Sequence, residues 1–301
     1  MIALEPDFLC GSYPPLITPF RGGDVDYDSY ASLIEHQIAN GTHGVVVNGT
    51  TSEPTSLTVD ERNRLVRTAV EVARGRIPVV AQTGSQSHAE TVALTDHAAK
   101  AGADALMVLT PYYTTPTQAG LRDYFLRLAD AAPLPILIYE IPYRTRIALA
   151  PEVLHELSRH ENIIGMKACN TDMYHFLQVV AGVDPSFAVL SGEDTLLPLQ
   201  VAAGARGGIV VTASLLPRAW RRIFEHAANG RLAEALALHR QLIPLMNMAF
   251  AETNPGPLKS VLDLVGVDAP TVLPPLVAPD AELQARLRAE VQRQRAALET
   301  A

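Results

Sequence analysis

The segment ENIIGMKACN, residues 161–170, places a lysine directly after an apolar run. Residues 163–166 have the composition of a buried strand, and Lys167 follows at its end. Burial disfavours the charged form of an amine, so a lysine in a dry pocket loses its proton more readily. The neutral amine can attack a ketone and form an imine, which makes the neighbouring carbon acidic. Lys167 is therefore a candidate nucleophile, and a solvated or ion-paired lysine at a strand end is the alternative.

Lysine is scarce in this chain, which makes each lysine informative. Of the 24 basic residues, only Lys100, Lys167 and Lys259 are lysines, and the rest are arginines. Arginine holds its proton too tightly to act as an amine nucleophile, whereas a desolvated lysine can lose its proton. The composition therefore favours a chemical role for Lys167.

Imine chemistry also needs proton-transfer groups and a grip on the substrate, and suitable side chains follow other apolar runs. Thr50 and Thr51 lie in a Gly-led loop, and Tyr113, Tyr139 and Arg144 end or follow later runs. Phenol and threonine hydroxyls can transfer protons near an imine. Hydroxyls and N–H groups of a Gly-led loop can hold one carboxylate, and an arginine can bind a second. No cluster of His, Cys or carboxylate residues accompanies them, so we predict no metal site.

Eight apolar runs alternate with amphipathic stretches over the first part of the chain. They are rich in Val, Ile and Leu without polar alternation, which is typical of strands covered on both faces. The runs span residues 14–18, 44–48, 77–82, 104–110, 135–140, 162–167, 187–192 and 207–211. Helical stretches lie between them, for example at 60–73, 88–101 and 117–131. Thr58 or Asp60 is the candidate N-cap of the first of these, and Thr117 or Thr115 that of the last. Eight strand–helix units predict an α/β fold, a (β/α)8 TIM barrel over residues 1–222.

A doubly wound open sheet is the alternative fold, but no G-x-G-x-x-G turn follows the first run. Residues 223–301 are predicted to form a C-terminal helical region with a break near Asn229 and Gly230. A proline-rich stretch at 267–279 precedes a charged final helix. No linker with a shift in composition separates the two parts. We therefore expect the helical region to pack on the barrel, where it is also a candidate contact surface between subunits.

In a (β/α)8 barrel, the site is formed by the carboxyl ends of the strands and the loops that follow them. The predicted topology brings the candidate residues to one rim: Thr50, Thr51, Tyr113, Tyr139, Arg144, Lys167 and Gly192. Each alone has an ordinary interpretation as a turn residue, an interior aromatic or a surface charge. Their convergence favours an imine-forming site, and a barrel that binds without turnover is the alternative.

Six motifs resemble, in order and spacing, those of the dihydrodipicolinate synthase / N-acetylneuraminate lyase family of class I, Schiff-base aldolases. They are GTTSE (49–53), TPYYTTPTQAGL (110–121), YEIPYRT (139–145), IIGMK (163–167), LSGED (190–194) and NPGPLK (254–259). The resemblance spans residues 11–259, and the YxxPxRT and NPxPxK patterns are closer to the dihydrodipicolinate synthases than to the neuraminate lyases.

The resemblance implies an enzyme that uses no separate cofactor. In such an enzyme Lys167 binds pyruvate as a Schiff base, Tyr139 protonates and deprotonates the intermediates, and Thr50 belongs to the proton relay. Tyr113 completes that relay from a neighbouring subunit, which implies a homo-oligomer, a tetramer built as a dimer of dimers. The implied reaction condenses pyruvate with L-aspartate 4-semialdehyde, in lysine and diaminopimelate biosynthesis.

The resemblance also implies the binding residues. Thr51 holds the pyruvate carboxylate, and Arg144 at the mouth binds the carboxylate of the aldehyde. Gly192 and Ile209 line the pocket. A lysine-inhibitor motif is only partly present, because Tyr112 and Glu90 match it whereas Gln86 and Arg62 differ from it.

Several residues depart from the family pattern. Ser52 stands where the pattern has glycine, Glu140 replaces an asparagine, Arg146 replaces a glycine, and Ala168-Cys169 replaces an acidic-small pair. We expect these residues to lie near the acceptor side, away from the imine chemistry. Ser52, Glu140 and Arg146 favour an alternative, an aldolase or dehydratase acting on a 2-keto-3-deoxy sugar acid or a related 2-keto acid.

Composition excludes other classes of function. The net charge of −8 disfavours a nucleic-acid partner, since no basic surplus exists to neutralise phosphates. No apolar run approaches the roughly 18 residues that span a membrane. Cys10 and Cys169 are too few for a disulfide framework and fit a reducing compartment, and the N-terminus lacks the features of a signal peptide. We therefore expect a cytoplasmic protein.

Overall fold

The apolar runs form eight parallel strands in the computed structural model, which describes residues 8–299. The strands are β1 Gly11–Ser12, β2 Val45–Val47, β3 Val79–Gln82, β4 Ala105–Leu109, β5 Ile136–Glu140, β6 Ile163–Ala168, β7 Ala188–Ser191 and β8 Gly207–Gly208. Each strand from β2 to β8 pairs in parallel with the next, and β8 pairs with β1. A parallel bridge between Pro15 and Val46 joins the segment after β1 to β2. The predicted (β/α)8 barrel is confirmed.

The first barrel strand differs from its prediction at 14–18, because regular pairing is confined to Gly11–Ser12. Pro14 and Pro15 have no N–H group and cannot donate to a ladder. Contact with β2 is reduced to two hydrogen bonds. The Leu16 N–H donates to the Val46 carbonyl at 2.8 Å, and the Val46 N–H donates to the Pro14 carbonyl at 3.1 Å.

The eighth strand is shorter than predicted for a different reason. Residues Val211–Ser214 form a 3-10 turn rather than strand. The Asp194 carboxylate accepts the N–H groups of Val211 and Thr212, both at 2.8 Å, together with the Thr212 hydroxyl. These donors are therefore not available to a ladder.

Helices cover the outside of the barrel. They are α1 Tyr27–Ala39, α2 Val59–Ala73, α3 His88–Ala101, α4 Gln118–Ala131, α5 Pro151–Leu157, α6 Met173–Gly182, α7 Leu197–Ala202 and α8 Pro217–Ala228. A hairpin of Phe20–Arg21 and Asp24–Val25 precedes α1. Thr58 and Thr117 cap their helices as predicted, and Thr58 forms a capping box with Glu61. The first unpaired N–H groups of these helices are thereby satisfied.

The C-terminal region is helical, as predicted, with α9 at Leu232–Ala249 and α10 at Ala281–Gln294. The break before α9 falls where Gly230 adopts a left-handed conformation, φ +73°. Trp220, Leu242 and Leu287 belong to the same buried cluster as the helix-facing residues of the strands. The boundary at residue 222 stays a prediction. Among the described residues, no helix is both long and apolar enough to cross a membrane.

Candidate active site

The pleat of two neighbouring strands places a lysine beside a tyrosine inside the barrel. Tyr139 on β5 and Lys167 on β6 are register partners, and both are buried. The Lys167 Nζ atom lies 4.4 Å from the centroid of the Tyr139 ring. Of the two interpretations of Lys167 left open by the sequence, the structure shows the buried one.

The Tyr139 hydroxyl connects this pair to the loop after β2. It shares a hydrogen bond of 3.0 Å with Thr50 Oγ1, and Thr50 begins the 3-10 turn Thr50–Ser52. Burial raises the pKa of Tyr139 above its ordinary value, so the phenol keeps its proton. A neutral phenol bonded to a second hydroxyl can pass a proton in either direction. The geometry therefore joins an amine, a phenol and an alcohol in one continuous group.

Thr51 and Ser52 make different contacts in that turn. The Asn254 side-chain amide donates to Thr51 Oγ1 at 3.1 Å. Ser52 Oγ donates to the Leu16 carbonyl at 2.6 Å, and Thr18 Oγ1 donates to the Ser52 carbonyl at 2.9 Å. Ser52 therefore anchors the turn to the segment after β1. The expectation that its side chain lies on the acceptor side is wrong, because its hydroxyl is already bound to this backbone.

Gly192 follows β7 and lies against the lysine stem. Its N–H donates to the Ala168 carbonyl at 2.7 Å. A Cβ at this position would lie 3.0 Å from Lys167 Cε and would overlap Cys169 Sγ, so glycine leaves the room that the lysine side chain occupies. Cys169 Sγ donates to the Gly192 carbonyl at 3.2 Å. Burial raises the pKa of Cys169 to about 11, so the thiol is protonated at neutral pH.

Ile209 is fully buried and belongs to the apolar cluster inside the barrel that also contains Tyr139. This cluster seals the barrel interior below the polar residues. Ile209 therefore belongs to the same apolar interior as Tyr139, and its role in lining the pocket stays a prediction.

A cavity of about 590 Å³ opens above the turn. Thr50, Leu109, Ile141 and Arg144 line it, and Arg144 is exposed on the short helix Pro142–Thr145. The residues of the partial inhibitor motif lie in the same wall: Arg62, Gln86, Glu90 and Tyr112. Arg62 Nη1 donates to Glu90 Oε1 at 3.1 Å, so an ion pair occupies this part of the wall.

Tyr113 lies apart from the other predicted site residues. Its side chain is 94% exposed, and its backbone is left-handed, φ +73°. Of the residues that the structure describes, Tyr112 lines the cavity and Tyr113 does not. Within one chain, the structure therefore brings together Lys167, Tyr139 and Thr50 but not Tyr113.

Glu140 does not lie on the acceptor side, and that expectation is wrong. Because strand side chains alternate, Tyr139 points into the barrel and Glu140 points out towards the helices. Glu140 Oε1 accepts the Leu149 N–H at 2.8 Å, and His175 Nε2 is 2.9 Å from the Leu149 carbonyl. Burial raises the pKa of Glu140, and His175 opposes that shift. Arg146 is exposed and, like Glu140, is not among the described residues that line the cavity.

Three important residues carried no role in the sequence analysis: Glu53, Asn254 and Lys259. Lys259 Nζ donates to Glu53 Oε1 at 2.7 Å, and the two side chains are 0% and 1% exposed. Glu53 Oε2 also accepts the Leu273 N–H at 2.9 Å. Burial lowers the pKa of Lys259 to about 8, against the attraction of Glu53. The scarcity of lysine was the signal that could have found this pair.

The described residues contain no group of three or more His, Cys, Asp or Glu that could hold a metal ion. What they do contain is a buried amine, a neutral phenol and a hydroxyl at the carboxyl ends of parallel strands. The fold and the site thus define a (β/α)8 lyase of the class I aldolase type. The chain belongs to the dihydrodipicolinate synthetase family, whose model matches residues 9–294.

Relatives with curated names agree with this assignment. The chain is 42% identical over 269 residues to a 4-hydroxy-tetrahydrodipicolinate synthase of Rhodospirillum centenum, covering 89% of this chain and 92% of the relative. It is 41% identical over 283 residues to the synthase of Hyphomonas neptunium, covering 93% and 96%. A solved dihydrodipicolinate synthase from Aquifex aeolicus superposes with a TM-score of 0.92 at 37% identity, covering 97% of this chain and all of the other.

Proposed function

We propose that this protein condenses pyruvate with L-aspartate 4-semialdehyde, the reaction of a 4-hydroxy-tetrahydrodipicolinate synthase in lysine and diaminopimelate biosynthesis. The observation that carries the proposal is the placement of Lys167 Nζ over the Tyr139 ring, with the Tyr139 hydroxyl bonded to Thr50. The names of the most similar relatives support the same reaction.

Lys167 is the nucleophile in this proposal. The Lys167 amine attacks the ketone carbon of pyruvate, and the nitrogen gives up two protons as the ketone oxygen leaves as water. The resulting imine is covalent, so the site needs no separate electron sink. Removal of a methyl proton yields an enamine, which attacks the aldehyde carbon of the second substrate.

Tyr139 and Thr50 carry the protons of these steps. Since the phenol is neutral, it can donate to the departing oxygen and be reprotonated through the Thr50 hydroxyl. Tyr113 of a neighbouring subunit completes this relay in the proposal. Its nearly full exposure in a single chain fits a residue whose partner lies on another copy. The protein is accordingly proposed to be a cytoplasmic homotetramer, built as a dimer of dimers.

Binding is assigned to the residues around this group. Thr51 holds the pyruvate carboxylate, and Gly192 and Ile209 shape the space around the imine. Arg144 lines the cavity above the turn, where an exposed guanidinium can bind the carboxylate of the aldehyde. The cavity volume of about 590 Å³ is in the range of small-molecule sites.

The sugar-acid alternative rested on Ser52, Glu140 and Arg146. None of the three is among the described residues that line the cavity. Ser52 and Glu140 are engaged with backbone groups instead. Ser52 and Glu140 therefore have structural contacts that account for them without a different acceptor.

The test is to trap the imine. Borohydride added with pyruvate is expected to leave a stable adduct on Lys167, found by mass spectrometry of the digested protein. Lys167→Arg keeps a long basic side chain but has no amine nucleophile, and it is expected to give a folded protein with neither adduct nor activity. Absence of an adduct on the unmodified protein would refute imine formation and would favour a barrel that binds without turnover. An adduct combined with turnover of sugar acids alone would refute the choice of acceptor.

A further inference from the structure

The C-terminal helical region contributes a side chain to the proposed carboxylate-binding turn. Asn254 opens the NPGPLK segment beyond α9 and is buried. Its amide nitrogen lies 3.1 Å from Thr51 Oγ1, a contact between residues 203 positions apart. Asn254 also lines the same cavity as Thr50 and Arg144. The contact therefore reaches the site from outside the eight strand–helix units.

The direction of this hydrogen bond decides what the Thr51 hydroxyl can offer. A threonine hydroxyl donates one hydrogen bond and accepts others, so alone it is ambiguous. An amide N–H can only donate, so Thr51 Oγ1 is the acceptor in the contact with Asn254. The single hydroxyl proton of Thr51 is then left for a different partner.

A carboxylate is a partner of the matching kind, because it accepts hydrogen bonds and donates none. A hydroxyl fixed as a donor favours a carboxylate over a neutral group that presents N–H donors of its own. The turn is held from the same C-terminal segment a second time, since Lys259 is ion-paired with Glu53. The C-terminal region thus both immobilises the turn and orients one of its hydroxyls.

We infer that Asn254 is a positioning residue that sets the selectivity of the site for keto acids over uncharged ketones. It acts through Thr51 and does not take part in the bond-making steps. This inference rests on the proposed function, in which Thr51 holds the carboxylate of pyruvate.

The experiment compares two ketones of similar shape, one with a carboxylate and one with an uncharged amide that carries N–H donors. Borohydride trapping is measured as a function of concentration with pyruvate and with pyruvamide, its uncharged amide. Asn254→Ala removes the amide, and Asn254→Asp keeps the shape but replaces the donor with an acceptor that captures the Thr51 proton. Asn247→Ala, an exposed asparagine on α9, is the matched control.

Asn254→Ala is expected to raise the half-saturating pyruvate concentration about tenfold, the loss of roughly one hydrogen bond to a charged group. Asn254→Asp is expected to raise it about a hundredfold, because a negative charge is added as well. The amount of adduct formed at saturating pyruvate is expected to stay within about twofold of that of the unmodified protein. The half-saturating pyruvamide concentration of Asn254→Ala is expected to stay within the same range. The Asn247→Ala curves are expected to match it for both ketones.

Equal shifts for pyruvate and pyruvamide in both variants would overturn the inference, because they would indicate general loosening of the turn. Unchanged pyruvate curves would overturn it as well. If the unmodified protein forms no pyruvate adduct, that separate outcome would refute the proposed function itself. Should Asn254→Ala not fold, the isosteric Asn254→Asp carries the comparison alone.

Discussion

Replacing Lys259 with methionine leaves the carboxylate of Glu53 buried without its counter-ion. The two side chains are 0% and 1% exposed, and their charged atoms are 2.7 Å apart. Removing one partner of a buried ion pair typically costs about 3–5 kcal/mol, because the remaining charge cannot return to water. The Leu273 N–H still donates to Glu53 and offsets part of this loss. We therefore expect Lys259→Met to lower the free energy of unfolding by about 3 kcal/mol.

A change of this size is measurable by heat and by denaturant. At roughly 2–4 °C per kcal/mol for a chain of this length, Lys259→Met is expected to lower the Tm by about 6–12 °C. Glu53→Gln retains an acceptor for Leu273 but strands the ammonium group over the Phe20 ring, 3.8 Å from its centroid. The double variant removes both charges. It is expected to be more stable than the sum of the two single losses predicts, by about 2 kcal/mol.

Urea unfolding of the four proteins, followed by circular dichroism, completes the cycle. Arg286→Met is the matched control, since Arg286 and Glu282 form an exposed pair at 3.6 Å and such pairs contribute at most about 1 kcal/mol. A loss below about 1 kcal/mol for Lys259→Met, or strict additivity in the double variant, would refute the assignment of a coupled buried pair.

Three further predictions concern Arg144 and Gly192 in the site and Glu140 outside it. Arg144→Ala is expected to raise the KM for the carboxylated aldehyde about 10- to 100-fold while pyruvate trapping stays unchanged, and equal steady-state kinetics would contradict that role. Gly192→Ala is expected to lower kcat at least about tenfold, because overpacking that costs about 1–3 kcal/mol displaces Lys167. Adding Cys169→Ala removes part of the clash and should restore part of the rate. A fully active Gly192→Ala variant would show that the space beside Lys167 is not needed. Because the pKa of Glu140 is raised in the native state, its stabilising effect is complete below the unfolded value of 4.5 and is lost as pH rises through the native pKa. The stability of the protein relative to Glu140→Gln is thus expected to fall from pH 4.5 upwards in denaturant titrations, and a rise would show the opposite shift.

The strands were predictable where composition alone decides the structure. β2 and β4 to β7 lie within one residue of their predicted limits at both ends, because runs of Val, Ile and Leu have few alternatives once both faces are covered. β1 and β8 were predicted too long or displaced. In β1 the proline residues lack N–H donors, and at the end of β8 the Asp194 carboxylate accepts the N–H groups instead. The second effect depends on a residue outside the strand.

The site was predictable in its centre and less so at its edges. Lys167 and Tyr139 end neighbouring apolar runs, so the barrel topology alone brings them together. The contacts of Asn254 with Thr51 and of Lys259 with Glu53 join residues 203 and 206 positions apart. No local pattern encodes such contacts. The orientation of Glu140 required the strand register, which a continuous apolar run does not reveal.

Tyr139 and Glu140 are adjacent in the chain, yet one faces the barrel interior and the other faces the helical shell. Substitutions at these two neighbouring positions therefore affect different parts of the molecule. A substitution at position 139 would change the proposed proton transfer, whereas a substitution at position 140 would change the hydrogen bond that holds the Leu149 backbone. A substitution at position 140 can thus change how the segment between Glu140 and Leu149, which carries Arg144, is held, one peptide bond away from the proposed proton relay.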